Sequence, residues 1–209
     1  MTYRLGVDVG GTFTDLLLVN ETTGQTWKAK VSSTPHDQSE GVLRGIERVC
    51  GLAGVSPEAI DHVMHGTTVA TNTVLTGTGA RVGLVTTRGY RQVLQIARSF
   101  VPGGLGGWVI YNKSLPMAPL ALTIEASERV GSGGDVVEKL DEAKLRADLA
   151  ALGAKRIEAL TVSLINSFAN DRHERRIKEI AAEVLPGIPI SLSSEVVPEM
   201  QEYERTVTT

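Results

Sequence analysis

The segment that most constrains the fold is residues 6–15, GVDVGGTFTD, close to the N-terminus. Apolar runs at 5–9 and 13–19 lie on either side of its Gly-Gly-Thr sequence, and both are rich in β-branched residues. This pattern predicts a strand, a tight turn and a second strand. Rossmann and Walker glycine loops lead into a helix instead, and the sequence has no GxxxxGK motif followed by Ser or Thr. We therefore expect a hairpin with a glycine-rich tip.

The residue types at this tip suit a phosphate group. Gly10 and Gly11 lack a Cβ atom, so their backbone can adopt positive φ and bring N–H groups against an anion. Thr12 and Thr14 add hydroxyl donors to the same tip. The alternative is an ordinary hairpin, in which the two glycines only make a two-residue turn.

Two carboxylates lie beside the tip. Asp8 is within the apolar first strand, where an ionised side chain is costly unless a partner or a cation is near. Asp15 begins the returning strand. Because carboxylates repel phosphate, we expect Mg²⁺, held largely through water, to bind at Asp8 and Asp15.

A second candidate stretch is residues 65–75, HGTTVATNTVL, where a predicted strand gives way to a predicted helix. The N-terminus of a helix presents free N–H groups that favour anions. One hypothesis is that the polar residues of this stretch face a cleft beside the hairpin: His65, Thr67, Thr68 and Asn72. The alternative is that Thr67 or Thr68 only caps the helix.

Other polar residues have weaker functional signals. Arg88, beside Gly89, has two open interpretations, as a ligand of a phosphate or substrate carboxylate and as part of a solvated basic turn. His62 and His65 point to opposite faces of a strand, so we expect no zinc site there. His173 lies in polar sequence and is predicted to be at the surface. Residues 198–209 are predicted to begin a solvated helix.

Composition excludes several classes of protein. The 209 residues are 42% hydrophobic and carry a formal net charge of −3, which argues against a nucleic-acid binder. No apolar stretch approaches the roughly 18–20 residues of a membrane span, and the chain enters a strand without a signal-like segment. Its one cysteine, Cys50, rules out an intrachain disulfide and lies on the apolar stripe of a predicted helix. We expect a soluble, cytoplasmic protein.

The order of predicted elements indicates two α/β regions. Three strands come first, followed by a helix at 39–53, a strand at 61–65, a helix at 68–75 and a strand at 81–85. The second region has predicted strands at 122–130, 135–140, 157–165 and 188–192. Its predicted helices are at 141–152 and 172–185. We predict domains at 1–98 and 120–209, joined by a Gly- and Pro-rich loop at 99–119.

Three of these strings resemble one family. GVDVGGTFTD at 6–15 resembles the N-terminal segment of hydantoinase A and 5-oxoprolinase, and HGTTVATN at 65–72 and PEMQEYERTVTT at 198–209 are also typical of that family. The hairpin is also similar to the first phosphate loop of actin, hexokinase and Hsp70. The resemblance implies an α/β fold, with an actin-like ATPase (RNase-H-like) N-terminal lobe followed by a second α/β subdomain. It also implies that a longer catalytic region follows residue 209, so we expect these residues alone to bind nucleotide weakly and to hydrolyse little.

The resemblance further implies a function, the ATP-dependent opening of a cyclic amide such as 5-oxoproline or a hydantoin, together with a partner subunit or domain. ATP and Mg²⁺ would be held by Asp8 and the turn at 10–12, and His65, Thr67 and Thr68 would orient the substrate. Asn72 and Arg88 would contact it. Three alternatives stay open: an ATP-dependent ketone carboxylase of the same family, a hexokinase-type sugar kinase, and a nucleotide-binding or assembly domain without catalytic activity.

Overall fold

A computed structural model of the chain describes residues 2–34, 36–98 and 115–209. The chain divides into two units, Met1–Gly79 and Ala80–Thr209. Each unit combines a four-stranded β-sheet with helices, so the predicted α/β class is confirmed. Most of the loop predicted at 99–119 lies outside the described residues.

The first unit is built on the predicted hairpin. Strands β1, β2 and β3 pair antiparallel, and β4 pairs parallel to β1, which gives the sheet order β3-β2-β1-β4. The elements of this unit, in chain order, are β1 (Tyr3–Val9), β2 (Phe13–Asn20), β3 (Thr26–Ser32), α1 (Gln38–Ala53), a 3₁₀ turn (Pro57–Ala59), β4 (Ile60–Thr67) and α2 (Val69–Thr76).

The two faces of this first sheet differ because β1 alternates strictly between buried and more exposed residues. The apolar residues of β1 pack with the buried side of α1, and they are Tyr3, Leu5, Val7 and Val9. Gly6 and Asp8 point to the other face, together with their registered neighbours in the adjacent strands. We call this second side the outer face. It carries Gly6, Asp8, Asp15, Leu17, Met64 and Gly66.

Helix α1 begins and ends where its local sequence directs. The Asp37 carboxylate accepts a hydrogen bond from Ser39 N at 2.9 Å and so caps the first turn. Gly54 ends the helix at φ 66°, a left-handed conformation that glycine adopts without a Cβ clash. The observed bounds differ from the predicted 39–53 by one residue.

Cys50 is on the buried side of α1, with 2% of its surface exposed. Burial raises the pKa of the Cys50 thiol, and the negative charge of Glu58 raises this pKa further. Because the thiolate is the reactive form of cysteine, we expect Cys50 to react with Ellman's reagent many times more slowly in the folded protein than in denaturant. Absorbance of the released thiolate measures both rates. Fast stoichiometric labelling of the folded protein would contradict this expectation.

The second unit is centred on a parallel sheet with the order β10-β9-β5-β6. Strand β9 is an inner strand and is almost entirely buried, as its continuous apolar sequence predicts. The elements of this unit, in chain order, are β5 (Val82–Thr87), α3 (Val93–Ile96), a 3₁₀ turn (Leu120–Leu122), β6 (Thr123–Ala126), β7 (Arg129–Val130), β8 (Val136–Glu138), α4 (Glu142–Gly153), β9 (Ala159–Ser163), α5 (Arg172–Val184), β10 (Ile190–Leu192), α6 (Ser193–Val196) and α7 (Glu202–Thr208).

The structure divides the chain earlier than the predicted boundary at residue 98. Strand β5 pairs in parallel with β6 and β9 and is therefore part of the second sheet. The predicted boundary at residue 98 rests on the order of elements along the chain. The sequence of a short apolar strand such as β5 does not indicate which sheet the strand joins. Pairing with strands far along the chain decides this placement.

A buried carboxylate and a buried arginine connect α7 to the second sheet. Glu174 has no exposed surface and accepts hydrogen bonds from Leu164 N at 2.9 Å and from Ser193 Oγ at 2.6 Å. It also accepts from the backbone N–H and the hydroxyl of Ser194. Arg205, likewise fully buried, donates to Ser193 Oγ at 3.0 Å and to the carbonyl oxygen of Leu164 at 2.6 Å. Ser193 therefore bridges the two charged side chains.

The prediction of a solvated helix start at 198–209 is therefore wrong for one side of α7. Arg205 and Thr206 are both buried. Burial lowers the pKa of the Arg205 guanidinium, while the negative charges of Glu202 and Glu174 act in the opposite direction. A polar string shows no local sign of this burial, because the compensating partners come from elsewhere in the chain.

The prediction that His173 lies at the surface is also wrong. His173 is 6% exposed, and its Nδ1 lies 2.7 Å from Oε2 of the buried Glu128. The other Glu128 oxygen accepts a hydrogen bond from the Thr87 hydroxyl, which in turn accepts from Ile165 N at 3.0 Å. This chain of polar contacts ties α5 to the ends of β5 and β9.

Within the ranges that the structure describes, no helix has both the length and the hydropathy needed to cross a membrane.

Candidate functional site

The hairpin tip lies at the carboxyl end of two parallel strands. Val9 ends β1 and Thr67 ends β4, and these two residues are registered neighbours. Thr68 N donates to Val9 O at 3.2 Å, so α2 begins directly beside the turn at 10–12. This edge of a sheet is where open α/β proteins bind ligands.

The tip offers hydrogen-bond donors to a ligand. Gly10 N donates to Phe13 O at 3.0 Å and closes the turn. Gly11 and Thr12 are exposed. Among the described residues, the N–H groups of Gly11 and Thr12 and the Thr12 hydroxyl find no hydrogen-bond partner. Three donors at one exposed turn are suited to an anion.

Gly10 is required at the tip for close approach of the backbone and not for a special backbone conformation. The freedom of Gly10 and Gly11 to adopt positive φ is not used, since neither is among the described residues with positive φ. A Cβ atom on Gly10 would lie 2.9 Å from Phe13 O, and one on Gly11 would lie 2.9 Å from Asn72 Nδ2. The Gly10 contact is with a backbone atom and cannot be relieved locally, whereas the Gly11 contact is with the end of the Asn72 side chain, which can move.

Thr14 holds the tip from inside instead of facing a ligand. Its side chain is fully buried, and its Oγ1 lies 3.0 Å from Ser33 Oγ. Ser33 donates from its hydroxyl to Gly10 O at 2.8 Å and from its backbone to Thr12 O at 2.9 Å. The expected phosphate contact of Thr14 is therefore excluded by its burial, and Thr14 and Ser33 together support the turn.

Two residues of the second candidate stretch lie beside the tip. Asn72 Nδ2 donates to Thr68 Oγ1 at 3.3 Å, and the same amide packs against Gly11. Thr68 is the N-cap residue of α2 but makes no side-chain capping bond. Thr67 Oγ1 instead accepts a hydrogen bond from Val69 N at 3.2 Å. Of the two threonines, Thr67 therefore makes the side-chain contact to the start of the helix that the capping alternative predicts.

A row of registered residues crosses the outer face just below the tip. Asp8 in β1 is opposite Asp15 in β2 and opposite Gly66 in β4. Asp15 is in turn opposite Lys30 in β3, whose Nζ lies 3.0 Å and 2.9 Å from the two Asp15 oxygens. Asp8 is exposed and makes no side-chain hydrogen bond or ion pair within the described part of the chain. The two carboxylates of the predicted site therefore differ, because one is paired and the other is open.

An open depression of about 400 Å³ lies on the outer face beside Asp8. Gly6 and Gly66 form part of its lining and have no side chain to fill it. A Cβ on either glycine would meet neighbouring atoms only at ordinary contact distances of 3.8 Å or more. The lining residues are Gly6, Val7, Asp8, Asp15, Leu17, Met64, His65 and Gly66.

The sheet register separates His65 from Asp8. His65 is opposite Val7, whereas Asp8 is opposite Gly66. Neighbours in register share a face, so the His65 side chain lies on the Val7 side of the sheet and Asp8 lies on the outer face. Asp8 and His65 nevertheless both line the depression, so the hypothesis that they act in one cleft stays a prediction.

Arg88 lies in the second unit and has a protein partner. Its guanidinium donates to the Glu138 carboxylate at 3.0 Å and 3.1 Å. Its backbone is also held, since Arg88 N donates to Ala126 O at 2.9 Å. The pairing explains Arg88 without a bound anion, which favours the solvated-turn alternative.

The residues at the tip fit Mg²⁺ in one specific way. Mg²⁺ keeps several water ligands and is commonly bound by one or two carboxylates plus substrate phosphates. The open carboxylate of Asp8 suits this role, whereas Asp15 is engaged by Lys30. No cluster of three or more His, Cys, Asp or Glu side chains that could hold a metal occurs among the described residues. The fit therefore depends on phosphate oxygens as further ligands.

Sequence reasoning did not identify Ser33 or Lys30. Lys30 could have been found from the alternation of β3, had the pairing register of β2 and β3 been known. Ser33 follows β3 and has no pattern that links it to the tip; the contact depends on the return of β3 alongside β2.

The chain matches the sequence profile of the family described as "Hydantoinase/oxoprolinase N-terminal region" over residues 4–185. The acetophenone carboxylase gamma subunit of Aromatoleum aromaticum (strain DSM 19018 / LMG 30748 / EbN1) is 36% identical over 98% of this chain and 30% of its own length. The caprolactamase subunit alpha of Pseudomonas jessenii is 33% identical over 99% of this chain and 30% of its own length.

Solved structures give the same family context. The nucleotide-free structure of acetone carboxylase matches with a TM-score of 0.88 and 26% identity, covering 97% of this chain and 30% of that one. The crystal structure of the ATP-dependent caprolactamase from Pseudomonas jessenii matches with a TM-score of 0.83 and 31% identity, again over 97% and 30%. The chain thus spans about 30% of the length of these relatives. The resemblance noted in the sequence is confirmed, and this chain belongs to the hydantoinase/oxoprolinase family.

Proposed function

We propose that this chain supplies the ATP-phosphate-binding region of an enzyme that activates a carbonyl group by phosphorylating its oxygen. The observation that carries the proposal is the exposed turn at 10–12, whose unpartnered donors lie beside the open carboxylate of Asp8. Fixed donors of this kind stabilise the charge of a transferring phosphoryl group. Membership of the hydantoinase/oxoprolinase family supports the use of ATP.

Each residue at the tip has a distinct role in this proposal. Gly11 and Thr12 donate hydrogen bonds to phosphate oxygens. Asp8 holds Mg²⁺ through water, and the cation when bound neutralises phosphate charge. Thr68 and Asn72 contact the ligand from the first turns of α2. Gly10 is needed only so that the backbone can close the turn.

The substrate class that we propose first is a cyclic amide. Amide resonance makes a lactam carbonyl a poor electrophile. Transfer of the γ-phosphoryl group of ATP to the lactam oxygen releases ADP and weakens that resonance. Water then adds to the carbonyl carbon, and the C–N bond breaks to leave an acyl phosphate. A second water releases phosphate from it, so that one lactam, one ATP and two waters give an amino acid, ADP and phosphate. The similarity to caprolactamase supports this class.

Ketone carboxylation is a second candidate, favoured by the similarity to the acetophenone carboxylase gamma subunit and to acetone carboxylase. It would use the same phosphate-binding turn to phosphorylate the oxygen of an enolate. In both candidates we propose a partner subunit, since both relatives are named as subunits. Phosphate release from the full-length protein with its partner distinguishes them. A lactam alone stimulates release in the first, whereas a ketone with bicarbonate is required in the second.

Replacing Asp8 with asparagine is expected to weaken Mg-ATP binding at least tenfold, about 1.4 kcal/mol. The substitution keeps the size of the side chain and removes the charge that holds the cation. Amide NMR shifts of Gly11 and Thr12 during a Mg-ATP titration measure binding at the turn itself.

The control is Glu47→Gln, which removes one exposed acid from α1. Saturable shifts that are the same in the wild type and Asp8→Asn would contradict the role of Asp8. Absence of shifts in the full-length protein at millimolar ATP would refute the function.

A further inference from the structure

The row of charged residues on the outer face contains an internal counter-ion. Asp8 and Asp15 are directly opposite each other in an antiparallel pair, where Cβ atoms lie roughly 4.5–5.5 Å apart. Like charges in this arrangement destabilise a sheet. Lys30, opposite Asp15 on its other side, contacts both Asp15 oxygens at 2.9–3.0 Å.

A second contact holds Lys30 on the Asp15 side of the row. Its Nζ lies 5.1 Å from the centroid of the Phe13 ring, within the range of a cation–π interaction. Phe13 is the first residue of β2 after the tip. Asp8 has no cationic partner of this kind among the residues that the structure describes, and its neighbour on the β4 side, Gly66, has no side chain. The row is therefore asymmetric, with a neutralised acid on one side and an open acid on the other.

We propose that Lys30 is a positioning residue that occupies Asp15 and leaves Asp8 as the single carboxylate available to a divalent cation. This inference rests on the proposed function for its purpose. A single carboxylate binds a free divalent cation weakly, because the number and charge of oxygen ligands set the affinity. The missing ligands would then be phosphate oxygens. Lys30 therefore makes the site prefer a cation that is bound to a nucleotide to a free cation.

Removing Lys30 should create a two-carboxylate site. We expect Lys30→Met to bind free Mn²⁺ at least about tenfold more tightly than the wild type, without nucleotide, because both carboxylates become available. Electron paramagnetic resonance of free Mn²⁺ in a titration of the full-length protein measures the affinity. Lys30 is exposed, so its substitution is compatible with folding.

Lys28 provides a matched control. It lies on the same strand and face as Lys30, two residues away, and is opposite Leu17 instead of a carboxylate. Lys28→Met removes the same charge and should leave Mn²⁺ affinity within about twofold of the wild type, since exposed charges interact weakly in water. The double variant Asp15→Asn, Lys30→Met should return to the wild-type affinity. Lys30→Arg should also retain it, because the ion pair is kept.

The two proposals can fail separately. Unchanged Mn²⁺ affinity in Lys30→Met, or an equal gain in Lys28→Met, would overturn the role of Lys30 even if the chain binds Mg-ATP at the turn. A gain confined to Lys30→Met supports that role, and it does so even when the Mg-ATP titration shows no binding and the proposed function fails.

Discussion

Replacing Glu174 with alanine is expected to lower the free energy of unfolding by about 3–5 kcal/mol. The substitution removes one of the two negative charges, Glu174 and Glu202, that favour the charged form of the buried Arg205 guanidinium. It also leaves the buried N–H of Leu164 without its acceptor and removes the carboxylate that the hydroxyls of Ser193 and the half-buried Ser194 contact. Since domains are typically stable by only about 5–15 kcal/mol, the loss is a large share of the total. Urea unfolding followed by far-ultraviolet circular dichroism measures it.

Glu195→Ala is the matched control for this prediction. Glu195 pairs with Lys178 at 2.8 Å, and both side chains are more than 40% exposed. Exposed ion pairs contribute at most about 1 kcal/mol, so this variant should unfold near the wild-type urea concentration. Equal losses for the two variants would show that the buried contacts of Glu174 do not stabilise the protein.

Gly10→Ala is expected to disable the turn at 10–12. The added Cβ would lie 2.9 Å from Phe13 O, a backbone atom that can move only if the first two strands separate at their ends. Forced contacts of this kind typically cost about 1–3 kcal/mol. Because the turn must open, the N–H groups of Gly11 and Thr12 lose their arrangement, and we expect Mg-ATP binding to fall more than tenfold. Isothermal titration calorimetry and urea unfolding measure the two effects.

Gly6→Ala tests whether the effect belongs to the turn. Gly6 lies within β1, the strand that leads into the turn, but a Cβ there would approach only Leu17 O, at 3.9 Å. We expect this variant to be as stable as the wild type or slightly more stable, because alanine loses less backbone entropy than glycine on folding. If Gly10→Ala bound Mg-ATP as tightly as Gly6→Ala does, the close approach of the turn would not matter for binding.

The family membership of this chain leaves its substrate open for a physical reason. Under the proposed function, the turn at 10–12 recognises the nucleotide, and the same turn can serve different carbonyl acceptors. The relatives act on substrates as different as a lactam and aromatic or aliphatic ketones, according to their names. Residues that choose between these acceptors must therefore contact the substrate and not the phosphates.

Sequence alone was sufficient for the local features of this protein. The apolar alternation of β1 and β2, the Gly-Gly-Thr turn and the buried strand β9 all follow from patterns of neighbouring residues. The ends of α1 follow from Asp37 and Gly54, which act within one helical turn. The family could be identified for the same reason, since its strings at 6–15 and 65–72 are contiguous.

Features that join distant segments required the tertiary structure. Alternation within β4 shows that His62 and His65 face opposite ways, but it does not show which of them shares a face with Asp8. A shift of one residue in the pairing of β1 and β4 would exchange the two answers. The same limit applies to β5, which joins the second sheet, and to the buried partners of Glu174 and Arg205. Pairing register and burial are set by contacts between remote parts of the chain, and no local pattern encodes them.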